Sequence, residues 1–165
     1  MFLATKLTNE QWMLEKGMWL AFIVRHGRKK ITKSAFRALQ QLDPNKLVTN
    51  SDGRSPAVIA AVRHQGKPIA LGFADNYGMD GCFIVAHSEA GGRGAGSAIM
   101  NALLQSQGKL TCNVAADNIA SMALCFKFGF KAVQLHKGPT GKSTLRFERG
   151  FQDGSASTWH SNALS

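Results

Sequence analysis

The sequence predicts a mixed α/β domain whose elements follow the order β-α-α-β-β-β-α-β-α-β-β. Three observations carry this reading. Apolar residues near the amino terminus (Trp12, Met13, Trp19, Leu20, Ile23, Val24) recur at helical spacing. Residues 57–86 form short apolar runs separated by turn residues, the pattern of a sheet. A glycine cluster at 91–96 then leads into a strongly helical segment. The chain has 165 residues, 44% hydrophobic and 18% charged, which suits one self-sufficient core and excludes a disordered chain.

The elements follow in order. Residues 2–7 read as a short strand. Thr8 or Asn9 offers a helix N-cap for residues 9–25, with Arg25 and His26 suited to the carboxyl end and Gly27 to a left-handed residue beyond it. A basic connection, Arg28-Lys29-Lys30, leads to a second helix over about 34–42, which Asp43-Pro44 ends. Residues 49–56 are a polar loop containing Asp52-Gly53. Strands over 57–64 and 68–74 form a hairpin about Gln65-Gly66-Lys67, and 81–86 is a third, buried strand. After the glycine cluster come a helix from 97, a strand over 110–115 and a helix over 118–128. Residues 130–135 and 143–147 close the domain as a hairpin around 138–141. The domain therefore spans 1–149, and the polar, Ser-rich residues 150–165 are expected to be a loose tail.

The net charge of +10 is unevenly placed: residues 1–67 carry +8 and the remaining 98 carry +2. Either this makes a positive face for an acidic partner, or it only keeps the protein soluble. Cys82, Cys112 and Cys125 cannot all pair and show no C-x-x-C spacing, which suits free thiols in a reducing cytoplasm and no metal. No apolar run approaches the roughly 18 residues of a membrane span.

A glycine turn between a strand and a helix aims several backbone N–H groups at one point, with the helix dipole behind them. Such a turn suits a phosphate or pyrophosphate, although a glycine cluster before a helix is about as often only a tight turn. The cluster lacks the Lys-Ser/Thr of a Walker loop and the G-x-G-x-x-G spacing of a dinucleotide fold.

Gly91-Gly92-Arg93-Gly94-Ala95-Gly96-Ser97-Ala98 resembles the acetyl-CoA turn R/Q-x-x-G-x-G/A of the Gcn5-related N-acetyltransferases (GNAT). Gly94 and Gly96 stand at the last two positions, and Gly91 where Arg or Gln is usual. An alternative register, Arg93-x-x-Gly96-x-Ala98, fits the pattern literally but aligns the helix less well. The connection from Val85 to Gly94 is one residue longer than usual. A second resemblance follows in Asn118 through Phe130, where Asn118, Leu124, Lys127, Gly129 and Phe130 match N-x-x-A-x-x-L-Y-x-K-x-G-F. Ser121 replaces Ala, and Cys125 replaces the frequent Tyr. The two motifs and the order of elements cover the chain to about residue 149.

The resemblance implies a GNAT-like, mostly antiparallel sheet of six or seven strands flanked by four helices. It implies acetyl-CoA as cosubstrate and direct attack of a primary amine on the thioester. Val85, Ala86 and His87 would hold the pantetheine by backbone groups, with an N–H near Ala86 for the oxyanion. Gly91, Gly92, Arg93, Gly94, Ala95, Gly96 and Ser97 would cradle the pyrophosphate, and Asn118 would meet the pantetheine arm. Cys125 stands where the family's proton donor stands, against the plainer reading of a small buried residue. Tyr77, the chain's only Tyr, is a further donor candidate, and Ser121 could hold a water. Asp75, Asp80, His87 and Glu89 are base candidates, of which His87 lies nearest the expected thioester. Arg25, Arg28, Lys29 and Lys30 would border the acceptor site and favour an acidic or nucleic-acid-linked amine. The alternative is a non-catalytic module on the same fold that senses CoA or binds nucleic acid. A monomer or a homodimer is expected.

Overall fold

The computed structural model describes residues 2–27 and 30–151, and the elements occur there in the predicted order. Strand β2 (Ala57–His64) is buried over its first six residues, so both of its faces must be covered. It lies inside an antiparallel four-stranded sheet of β1 (Ala4–Lys6), β2, β3 (Lys67–Asp75) and β4 (Gly81–Ala86), arranged in sequence order. Helices α1 (Asn9–His26) and α2 (Lys33–Gln40) cover one face, where Trp12, Trp19, Phe22 and Leu39 pack on Ile59, Leu71 and Phe83. Helix α3 (Ala95–Gln107) covers the other, with Ile99 and Leu103 against Val58, Ala60 and Ala70. Strands β5 (Leu110–Ala115), β6 (Lys131–Lys137) and β7 (Ser143–Arg149) form a second antiparallel sheet in the order β5-β7-β6, and α4 (Ile119–Lys127) joins β5 to β6.

Local signals explain most boundaries. Thr8 Oγ1 accepts from the Gln11 N–H at 3.1 Å while Gln11 Oε1 accepts from the Thr8 N–H at 2.9 Å, a reciprocal cap that starts α1. The β2–β3 turn has Gln65 and Gly66 at φ +52° and +76°, as a two-residue hairpin requires. Gly27 departs from expectation. Its φ is −101°, not left-handed, and a Cβ there would stand 2.8 Å from both Ile23 O and Ile31 Cδ1. Space, not handedness, selects glycine at this position. Pro44 opens a single 3-10 turn, Pro44–Leu47, instead of simply ending α2. Of the tail expected from residue 150, residues 152–165 lie outside the described residues.

The sheet is divided between β4 and β5, which share no ladder. Side chains hold the halves together. The core around Ile99 and Leu103 also contains Leu110 and Val114 of β5 and Phe147 of β7. Among the described residues no helix is long and apolar enough to cross a membrane.

Helix α3 lies very close to β3. A Cβ added to Gly72 would stand 2.1 Å from Ile99 Cγ2, so any side chain there must push the helix off the sheet. Gly72→Ala should therefore lower stability to urea by about 1–3 kcal/mol, the usual cost of overpacking a core. Combining it with Ile99→Ala should cost less than the two single losses added together, because one change makes room for the other. Additive losses would show that the contact is not the constraint.

Candidate functional site

Because β4 pairs only with β3, one of its edges is unpaired. His87 N–H donates to Ile69 O at 2.7 Å, and the register sets Ala86 opposite Ala70 and Val85 opposite Leu71. Backbone groups alternate along an antiparallel ladder. Val85 and Phe83 therefore bond β3, whereas Cys82, Ile84 and Ala86 turn their N–H and C=O groups to the gap before β5. This corrects one expectation: the backbone of Val85 is committed to β3 and its side chain is buried under α1. Ile84 takes its place beside Ala86, a shift of one residue that strand alternation alone could have supplied.

The gap opens into a cleft of about 480 Å³. Cys82 and Ile84 of β4 and Cys112 and Val114 of β5 form its sides, while Met100, Ser121, Leu124 and Cys125 close it from α3 and α4. Cys125 and Cys112 bring their sulfurs to 3.7 Å. The hydrogen bond with Cys112 and burial together push the Cys125 thiol far above the ordinary range, so it stays neutral. Asn118 also lines the cleft, and its Oδ1 caps α4 by accepting the Ser121 N–H at 3.2 Å. At the margin stand Lys30 from the α1–α2 connection and the ion pair of Asp117 with Lys142, 3.1 Å apart. Asp117 and Lys142 belong to no motif in the sequence. Only the folding of the β6–β7 turn toward the start of α4 unites them.

The glycine turn sits at the amino end of α3. Gly92 and Gly94 have φ of +76° and +90°, and Gly94 is the N-cap with no side-chain hydrogen bond to the helix. The N–H groups of the first turn, Ala95, Gly96 and Ser97, are thus left without a capping side chain. Gly91 is at φ −60° with 3.9 Å of clearance for a Cβ, so glycine is not demanded there. Lys127 Nζ donates to Ser97 Oγ at 2.8 Å, which brings a cation from α4 to the turn. That role was invisible in Lys127's place as a motif match.

A second, larger cavity of about 880 Å³ lies against the carboxyl half of α1. It takes in Arg25, His26, His87, Glu89 and Arg93. The two catalytic candidates are thereby separated: Cys125 lines the cleft and His87 the larger cavity. His87 Nδ1 accepts the Glu89 N–H at 3.1 Å, so in a neutral ring the proton is on Nε2. The basic segment is divided likewise, with Arg25 in the larger cavity and Lys30 at the cleft, while Arg28 and Lys29 lie outside the described residues. Asp75, Asp80 and Tyr77 line neither cavity. Asp75 is buried and paired with Lys46 at 3.3 Å, and the Tyr77 N–H is held by Gln107 at 2.7 Å with Lys109 over the ring.

No family model matches the sequence, and no curated protein matches it. The structure is similar to that of a GNAT-family acetyltransferase from Streptococcus pneumoniae, with 16% identity, 90% of this chain and 98% of that chain covered, and a TM-score of 0.62. It is likewise similar to the ribosomal-protein-alanine N-acetyltransferase from Brucella melitensis (18% identity, 89% and 98% covered, TM-score 0.62). An aminoglycoside acetyltransferase solved with coenzyme A and kanamycin aligns over 96% of this chain and 99% of its own (13% identity, TM-score 0.54). The chain has the fold of these acetyltransferases.

His26 is held below its ordinary value of 6.5 by burial first, and then by His87 and Arg25. The folded chain therefore binds that proton more weakly than the unfolded chain does. Stability present above pH 6.5 should fall as the pH drops below it. His26→Gln should reduce the loss of stability between pH 7 and pH 5, measured by urea unfolding. An unchanged pH dependence would assign the loss to other groups.

Proposed function

We propose that the chain is an acetyl-CoA-dependent N-acetyltransferase of the GNAT type, acting in a reducing cytoplasm on a primary amine of an acidic or nucleic-acid-linked acceptor. One observation carries the reading: the unpaired edge of β4 opens into the cleft beside the uncapped amino end of α3. A strand edge offers N–H and C=O groups at the spacing of another peptide-like chain, which suits the amides of pantetheine. The uncapped N–H groups of α3, with Lys127 beside them, suit the pyrophosphate. The Ala86 N–H, directed into the gap, is the donor available to a thioester oxygen as it becomes an oxyanion.

Two features favour direct transfer over an acyl-cysteine intermediate. A nucleophilic cysteine must ionise, and Cys125 is held neutral by its surroundings. The cleft also offers a separate approach for an amine, past Lys30, Lys142 and Asp117. The Asp117 carboxylate, held by Lys142, can receive an incoming ammonium and take its proton directly or through water. Lys30 and Lys142 favour an acceptor that carries negative charge beyond its amine. His87, with Nδ1 engaged and its proton on Nε2, is arranged as a donor and not as a base. A second reading, a CoA-binding module without catalysis, draws on the absence of Tyr from the cleft lining and on the neutrality of Cys125.

Thioester cleavage measured with a panel of acidic and neutral amines separates the two readings: amine-dependent release of CoA is expected, and binding without turnover would leave the module. Gly96→Asp tests the cofactor site. A Cβ at Gly96 meets only Leu124 Cδ2, at an ordinary 3.5 Å, and a carboxylate in the first turn favours the helix while repelling a pyrophosphate. A ligand at 100 times its Kd stabilises a protein by about 2.7 kcal/mol. Acetyl-CoA should raise the parent's melting temperature accordingly, and Gly96→Asp should remove the rise without lowering the melting temperature of the free protein. A retained rise would overturn the assignment.

Cys125→Ala should keep turnover within about tenfold of the parent, since loss of a true general acid costs about 10²-fold or more. A larger loss in a normally folded variant would make Cys125 the proton donor.

A further inference from the structure

We propose that the larger cavity is a second ligand site, which takes a small phosphate monoester with an apolar body, such as a mononucleotide, independently of acetyl-CoA. Its volume of about 880 Å³ lies within the roughly 300–1,000 Å³ of small-molecule sites. It shares no lining residue with the cleft. The glycine turn stands between them, lending Ala90 and Arg93 to the larger cavity and its backbone N–H groups to the neighbourhood of the cleft.

The charge of the lining points to an anion. Arg25, Lys67 and Arg93 face the cavity with Glu89 as the single carboxylate, and among the described residues none of the four is in an ion pair. Unneutralised guanidinium and ammonium groups around a concavity concentrate anions there, and guanidinium groups match phosphate in geometry as well as charge. His26, His64 and His87 add three imidazoles. The His87 ring, with Nδ1 engaged by Glu89, keeps an Nε2–H donor for a ligand oxygen. Its ring centroid lies 4.3 Å from that of His26, which lies 4.7 Å from that of Phe22. These mutually tilted rings, with the side chains of Phe2 and Met18, give the cavity an aromatic and apolar wall against which a planar ring can lie. The cavity thus brings cations from α1, β3 and the glycine turn together with an aromatic wall, which describes a ligand that combines a phosphate with a flat apolar group.

Isothermal titration of the full chain with AMP, and with adenosine as the control lacking phosphate, tests the site. Arg25→Gln/Lys67→Gln is the informative variant, since both side chains are exposed and make no hydrogen bond among the described residues. AMP should bind the parent, adenosine should bind at least about tenfold more weakly, and the double variant should weaken AMP by about tenfold or more, equivalent to about 1.4 kcal/mol. Saturating CoA should leave AMP binding unchanged, and the variant should bind CoA as the parent does. Displacement of AMP by CoA would make the cavity part of the cofactor site and overturn the proposal. So would equal binding of adenosine and AMP, undiminished binding by the variant, or no binding of AMP by the parent. None of these readings depends on turnover, so the site can fail while acetyl transfer stands.

Discussion

Ile99 lies over Gly72 with no space for a Cβ between them, and this contact fixes how closely α3 lies on the four-stranded sheet. The rest of the site depends on it. The same helix face reaches β5 and β7, so the two sheets are joined through α3 and not through a continuous ladder. Backbone hydrogen bonds can therefore be absent between β4 and β5 without the halves separating. Burial is non-directional, whereas a ladder is not, and the domain uses the first to leave a vacancy in the second. What would be a liability at a sheet margin becomes, inside the domain, a row of donors and acceptors in a walled cleft.

The amino end of α3 is placed by that same seating. The β4–α3 connection joins the last residues of β4 to the first turn of that helix. The glycine turn spanning the two then meets local demands: φ of +76° at Gly92 and +90° at Gly94, with neither space nor handedness requiring glycine at Gly91. One side of the turn meets Leu124, which lines the cleft, and the other lends Ala90 and Arg93 to the cationic cavity, so a single loop stands between the two. The cleft is lined by thiols, apolar groups, Lys30 and the Asp117–Lys142 pair; the cavity is lined by Arg25, Lys67 and Arg93, which among the described residues form no ion pair.

The order of the elements was legible because each carries its own periodicity: 3.6 in α1, alternation or full burial in the strands, and glycine at the β4–α3 turn. The glycine cluster that carries the GNAT resemblance stands at the amino end of α3, and Asn118 caps α4 at the cleft. What sequence could not give was direction. Val85 and Ile84 look alike in a run of apolar residues, and only the register against β3 decides which presents its backbone to the cleft. Gly27 looked like a helix terminator by type, whereas packing of Ile31 and Ile23 around it is the operative constraint. Asp117 and Lys142 are 25 residues apart and become a pair only through the closing hairpin. His87 and Cys125 suit catalysis by type, yet the sheet sends them to different cavities.

The three cysteines of this chain come from β4, β5 and α4 and all line the same small space. Thiol chemistry in this protein is consequently spatially encoded. Cys112 and Cys125 are buried with their thiols pushed up, so Cys82, half-buried on β4, is the one an alkylating reagent meets first, and whatever fills the cleft covers it. The rate of bulk thiol labelling thus reports occupancy of one site, with no engineered probe, in a protein whose natural reporter groups are already where the ligand would lie.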